Sequence, residues 1–99
     1  MSEDNKKVYE IISGNFELEK VNEITIEEIQ RILTERIREM LDKNVEKLIL
    51  ILYRIDVNQK KTDEIFKSPF KDEIAENLAA AVIERQLEKI ETRKKYSSK

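Results

Sequence analysis

Apolar residues recur along this chain at spacings of three and four. From 26 to 41 they fall at Ile26, Ile29, Ile32, Leu33, Ile37, Met40 and Leu41, which is one stripe of an amphipathic helix. The opposite face carries Glu27, Arg31, Glu35, Arg38 and Asp42, spaced to support a helix through neighbouring charge pairs. Thr25 and Glu28 have the spacing of a capping box, and Ile24 and Ile29 that of a hydrophobic staple. The helix is expected to end near Asp42 or Lys43. Asn44 can cap the next one, over 45–55. Its Val45, Leu48, Ile49, Leu50, Ile51, Leu52, Tyr53 and Ile55 leave hardly any polar face, which predicts the central, most buried element. The same run has strand propensity, but no second convincing strand exists to pair with it.

Asp56-Val57-Asn58 breaks the pattern, and Asn58 can cap a short helix over 59–66. Ser68-Pro69 then opens a last helix, with Pro69 at the first helical position and Asp72 and Glu73 complementing the dipole in the first turn. It runs to about Lys94, roughly 39 Å at 1.5 Å per residue. Its stripe is Phe70, Ile74, Leu78, Ala81, Val82, Leu87 and Ile90. Ala75, Ala79, Ala80 and Ala81 offer a smooth surface for a second helix. At the other end, residues 5–13 form a short helix through Val8, Ile11 and Ile12, with Gly14 as its C-cap. Residues 15–24 read both ways: Phe16 and Leu18 alternate as in an extended piece, and Val21 and Ile24 are spaced as in a helix. They are taken as a packed connecting segment. The pattern as a whole predicts one all-α domain over 1–99, a compact bundle of four to five helices with a long C-terminal helix.

Composition narrows the function. The 99 residues include one Gly, one Pro, no Cys, no His and no Trp. Without Cys or His there is no zinc finger, iron–sulfur or haem ligation, thiol catalysis or His-based triad. A single Gly leaves no phosphate-binding loop or dinucleotide fingerprint. No cofactor is expected. The longest apolar run, Leu48 to Tyr53, is far short of the roughly 20 residues that cross a bilayer. The acidic start Met1-Ser2-Glu3-Asp4 leads into no apolar signal core. No membrane partner and a cytoplasmic location are expected. A chain this small buries a modest core, and it has no disulfide or metal to brace it. Self-association, most simply as a homodimer, is therefore expected.

The net charge of −2 conceals an acidic head and a basic tail. Residues 1–30 carry −5 and residues 85–99 carry +4. The tail Arg93-Lys94-Lys95-Tyr96-Ser97-Ser98-Lys99 has bases and an aromatic that suit phosphates and a stacked base. The simpler reading is a frayed, solvated end whose cations complement the helix dipole. Acid elsewhere on the chain repels a nucleic-acid backbone, so a nucleic-acid accessory role is the alternative reading and not the first.

Two further groups merit attention. Tyr53, Arg54 and Asp56 stand at the end of the most apolar helix, as an anion anchor with Arg54 oriented by Asp56 or, more simply, as an ion pair closing a turn. Glu84 and Glu88, one helical turn apart, present two carboxylates on one face beside Arg85, Gln86, Lys89 and Arg93. With no His to complete a two-metal bundle site and no calcium-loop spacing, they read as a solvated face with an inter-helix salt bridge. No set of residues converges for acid–base chemistry.

Ile51-Leu52-Tyr53-Arg54-Ile55-Asp56-Val57 and Ile83-Glu84-Arg85-Gln86-Leu87-Glu88-Lys89-Ile90-Glu91-Thr92-Arg93 resemble short bacterial helical proteins to which no activity is attached. The resemblance spans the C-terminal two-thirds. It implies a bacterial cytoplasmic protein and assigns no functional residue. The residues themselves point to a non-catalytic, self-associating interaction module with no enzyme activity. Its candidate interface is Ile74, Leu78, Ala81, Val82, Arg85 and Gln86, and its candidate polar site is Tyr53, Arg54, Asp56 and Glu84.

Overall fold

The computed structural model describes residues 2–18 and 24–97, with side chains over 5–18 and 24–92. Five helices follow in order: α1 (Ser2–Phe16), α2 (Ile26–Lys43), α3 (Val45–Arg54), α4 (Gln59–Phe66) and α5 (Lys71–Ser97). Among the described residues there is no strand. The fold is an all-α bundle with a long C-terminal helix, and its Cα radius of gyration of 13.5 Å is that of a compact chain of this length.

The local signals for α2, α3 and α4 act as their chemistry requires. Glu28 N–H donates to Thr25 Oγ1 at 3.1 Å, and Thr25 N–H donates back to Glu28 Oε1 at 3.1 Å. Two N-terminal donors are thereby satisfied. Ile24 and Ile29 are both buried. Asn44 is a corner shared by two helices: its N–H donates to the Met40 carbonyl, while its side-chain oxygen accepts from Lys47 N–H. Asn58 accepts from Lys61 N–H and starts α4 in the same way.

Three expectations about boundaries need correcting. The first helix does not stop at Gly14 but continues to Phe16. Gly14 has no positive φ, and a Cβ built there would meet nothing within 4 Å. Burying Ile12 and Phe16 on either side outweighs the roughly 1 kcal/mol that a mid-helix glycine costs. Of the connecting segment expected at 15–24, residues 15–16 end α1, Ile24 packs in the core, and 19–23 lie outside the described residues. The last helix begins at Lys71 and not at Pro69. Phe70 N–H donates to Ser68 Oγ, and the Phe70 carbonyl accepts the first helical bond from Ile74 N–H, so Pro69 belongs to the turn. Gly14→Ala is accordingly expected to stabilise the protein by about 0.5–1 kcal/mol. Urea unfolding checks this, because a glycine acting as a left-handed C-cap would instead make the alanine variant less stable.

The central element is α5, not α3. Ile74, Ala75, Leu78, Ala79, Ala81, Val82, Ile83, Gln86 and Ile90 of α5 are all buried, whereas α3 buries only Leu48, Ile51 and Leu52. α5 packs most extensively against α2 and also meets α1 and α4. The pairs Asp42–Lys71 and Arg38–Asp72, together with Gln30 Nε2 donating to the Glu76 carbonyl, give α2 and α5 opposite directions. The alanines permit that close approach within the chain, and only Ala80 of the four is exposed.

Candidate functional site

α1 and α3 end in the same way. Each stops at an acidic residue in the left-handed region, Glu17 at φ 58° and Asp56 at φ 65°. In each, the next amide reaches five residues back, Leu18 N–H to the Ser13 carbonyl at 2.9 Å and Val57 N–H to the Leu52 carbonyl at 3.1 Å. This is the Schellman arrangement, usually built on glycine. Here cations from other helices stabilise the acidic version. Arg36 of α2 donates from Nε to the Phe16 carbonyl at 3.0 Å and from Nη2 to Glu17 at 3.3 Å, and Lys47 donates to the same carboxylate at 3.0 Å. Arg85 of α5 donates from Nε to the Asp56 carbonyl and from Nη2 to its carboxylate, both at 3.0 Å, and Lys89 Nζ donates to the Ile55 carbonyl at 2.8 Å. Positive charge at the C-terminal end of a helix also complements its dipole.

This clamp dissolves the expected polar site. Asp56 pairs with Arg85, not Arg54, because the left-handed turn swings it toward α5. Glu84 pairs with Lys61 of α4 at 2.8 Å. Arg54 and Tyr53 are left exposed on α3. The expected interface is likewise displaced. Ile74, Leu78, Ala81, Val82 and Gln86 lie in the chain's own core, and Arg85 is half-buried beneath α3 as a helix cap. Gln86 is 2% exposed and its Nε2 has no hydrogen-bond partner among the described residues. Such an arrangement costs roughly 1–3 kcal/mol.

Among the described residues the exposed large apolar side chains lie on the outer face of α3, apart from Phe70, which is 62% exposed in the turn before α5. Val45 is 40% exposed, Ile49 45%, Leu50 62% and Tyr53 69%. At 3.6 residues per turn these four and Glu46 share an arc of about 140°. Ile49, Leu52 and Tyr53 continue into a groove of about 380 Å³ against Phe66 of α4. A wider, open groove of about 990 Å³ lies between α4 and α5. Its charges are largely committed to one another through Lys61–Glu84, Lys67–Glu64 and Arg85–Asp56. The sequence carries the signal for the α3 face in its run that is apolar all round, a pattern that predicts burial and that this helix fulfils on one side only.

The charged groups with displaced pKa values are held in their charged forms. The hydrogen bond from Lys47, aided by Arg36, keeps the Glu17 carboxyl below its ordinary 4.5. The hydrogen bond from Lys71 keeps Asp42 below 3.8. Hydrogen bonds to Asp56 and Glu88 raise Arg85. A depressed carboxyl stabilises the fold fully above its unfolded value, and the contribution is lost as pH falls through its folded value. For Glu17 and Asp42 that loss begins below about pH 5. The urea midpoint is therefore expected to fall between about pH 6 and pH 3, and to fall less in a Lys47→Met/Lys71→Met variant. An equal fall in both proteins would remove these pairs as a cause. Among the described residues no group of three or more acidic side chains is arranged to hold a metal, and no helix is long and apolar enough to cross a membrane.

The backbone of the basic tail, expected to fray, is helical through Ser97, and 98–99 lie outside the described residues. No protein-family model, curated protein or solved structure matches this chain.

Proposed function

We propose that this chain is a non-catalytic protein-interaction module whose contact surface is the outer face of α3. One observation carries the reading: of the five large apolar side chains exposed among the described residues, four stand together on one helix, while ion pairs such as Arg31–Glu35, Lys61–Glu84 and Lys71–Asp42 cover other faces. Contiguous apolar surface of this kind marks sites where something binds.

The test is a photo-activated cross-linker placed at Leu50 in cells producing the full chain, with the same group at exposed Glu27 of α2 as the control. A discrete adduct from position 50 and none from position 27 is the expected result. No adduct at 50, or the same smear from both positions, overturns the reading.

A further inference from the structure

We infer that the occupant of the α3 face is a second copy of this chain, bound antiparallel about a two-fold axis passing between Ile49 and Leu50. The inference rests on the reading above and adds the partner and its geometry. The charge layout of α3 selects it. Glu46 stands in the first turn and Arg54 at the last residue. Both are exposed, and neither joins an ion pair with any described residue. They are two turns apart, about 12 Å along the axis, on the same flank of the apolar arc.

A two-fold axis perpendicular to the helices reverses direction while preserving the flank. It therefore sets Glu46 of one copy level, to within about 1.5 Å of rise, with Arg54 of the partner subunit. The reciprocal pair forms at the other end, as an isologous interface requires. Leu50 meets Leu50 of the partner subunit on that flank, and Ile49 meets its own copy on the other. The two helix dipoles then oppose, which favours the same orientation. A parallel pairing swaps the flanks and leaves Glu46 of one copy two turns away from Arg54 of the other, so neither charge gains a partner.

Area sets the strength. The four exposed side chains leave on the order of 400 Å² of apolar surface per copy, and the stems of Glu46 and Arg54 extend it. Two copies together bury about 800–1,000 Å², the range of weak association. The dimer is concentration-dependent, and its side-chain pairs decide its orientation more than its affinity.

The test uses the purified full chain and its solution mass by light scattering over a range of concentrations. The expected result is a rise from the monomer's 11.8 kDa toward twice that mass. Glu46→Arg and Arg54→Glu should each move the midpoint to at least about tenfold higher concentration, since each sets like charges against one another. The double reversal should restore it to within about threefold. All three variants should keep the parent's helicity and melt cooperatively, because both residues lie outside the core, with only a small drop in melting temperature from charges that now oppose the α3 dipole. Orientation is read separately, because the chain has no cysteine: under mild oxidation Leu50→Cys should form a disulfide dimer and Tyr53→Cys should not.

A chain that stays monomeric at every concentration overturns the inference. So does a midpoint indifferent to the reversals, or a disulfide at position 53. If purified chain is monomeric but the cross-linker at 50 captures a different protein in cells, this inference fails and the interaction module stands. If that cross-linker captures nothing, the reading beneath it fails as well.

Discussion

Val82→Asp is expected to leave little folded protein at neutral pH, while Ala80→Glu, two residues earlier on α5, melts like the parent. Val82 is 0% exposed, whereas Ala80 faces solvent. A carboxylate at position 82 forfeits about 2 kcal/mol of apolar burial. It must also shed its water inside the core, or take up a proton far above its ordinary pKa, at a cost of several kcal/mol more. Against a total stability of roughly 5–10 kcal/mol for a domain of this size, the sum is decisive. Helical circular dichroism and solution mass separate the two uses of this stripe. A core position loses helicity and cooperative melting together. A position on an inter-chain interface would keep its helicity and lose only mass. A folded, monomeric Val82→Asp would put the stripe back on the surface.

How far the sequence reveals this fold depends on the range of each interaction. The starts of α2, α3 and α4 are legible because Thr25–Glu28, Asn44–Lys47 and Asn58–Lys61 are caps made within three residues. The end of α1 is not. Glu17 carries no residue-type signal for a left-handed position, and what holds it there comes from Arg36 and Lys47, 19 and 30 residues along the chain. The same gap explains Asp56. Its neighbour Arg54 is the obvious partner in sequence, yet the turn commits it to Arg85, 29 residues away. The exposure of one side of α3 has another cause. Ten residues make a rod of about 15 Å, and such a rod buries only the side its neighbours cover, however apolar it is all round. The helix that fills the centre is α5, whose stripe mixes alanines with larger residues and so looks weaker by hydropathy while packing closer.

Arg36→Met is expected to cost about 2 kcal/mol, because hydrogen bonds from a charged donor to otherwise unsatisfied carbonyls are worth about 1.5–3 kcal/mol. Arg38→Met, on the same helix, is expected to cost no more than about 1 kcal/mol. Both arginines bridge helices, so a count of ion pairs ranks them equally. Their settings differ. Arg38 meets Asp72 with both side chains largely in water, 48% and 75% exposed. Arg36 is 26% exposed and holds the Phe16 carbonyl, Glu17 and Glu39 at once. Methionine keeps the apolar stem of Arg36 and removes only its donors. The Phe16 carbonyl at the end of α1 then loses its partner, and Glu17 keeps its left-handed strain with one cation fewer to offset it. α1 contributes Val8, Tyr9, Ile12 and Phe16 to the core, so the weakened cap loosens a whole element and not one contact. Hydrogen exchange is the discriminating measurement. In Arg36→Met the amides of α1 should lose protection ahead of those of α2 and α5, as a separate opening unit. Uniform loss across all helices would mean that Arg36 supports the fold globally, and that α1 has no opening of its own for the clamp to control.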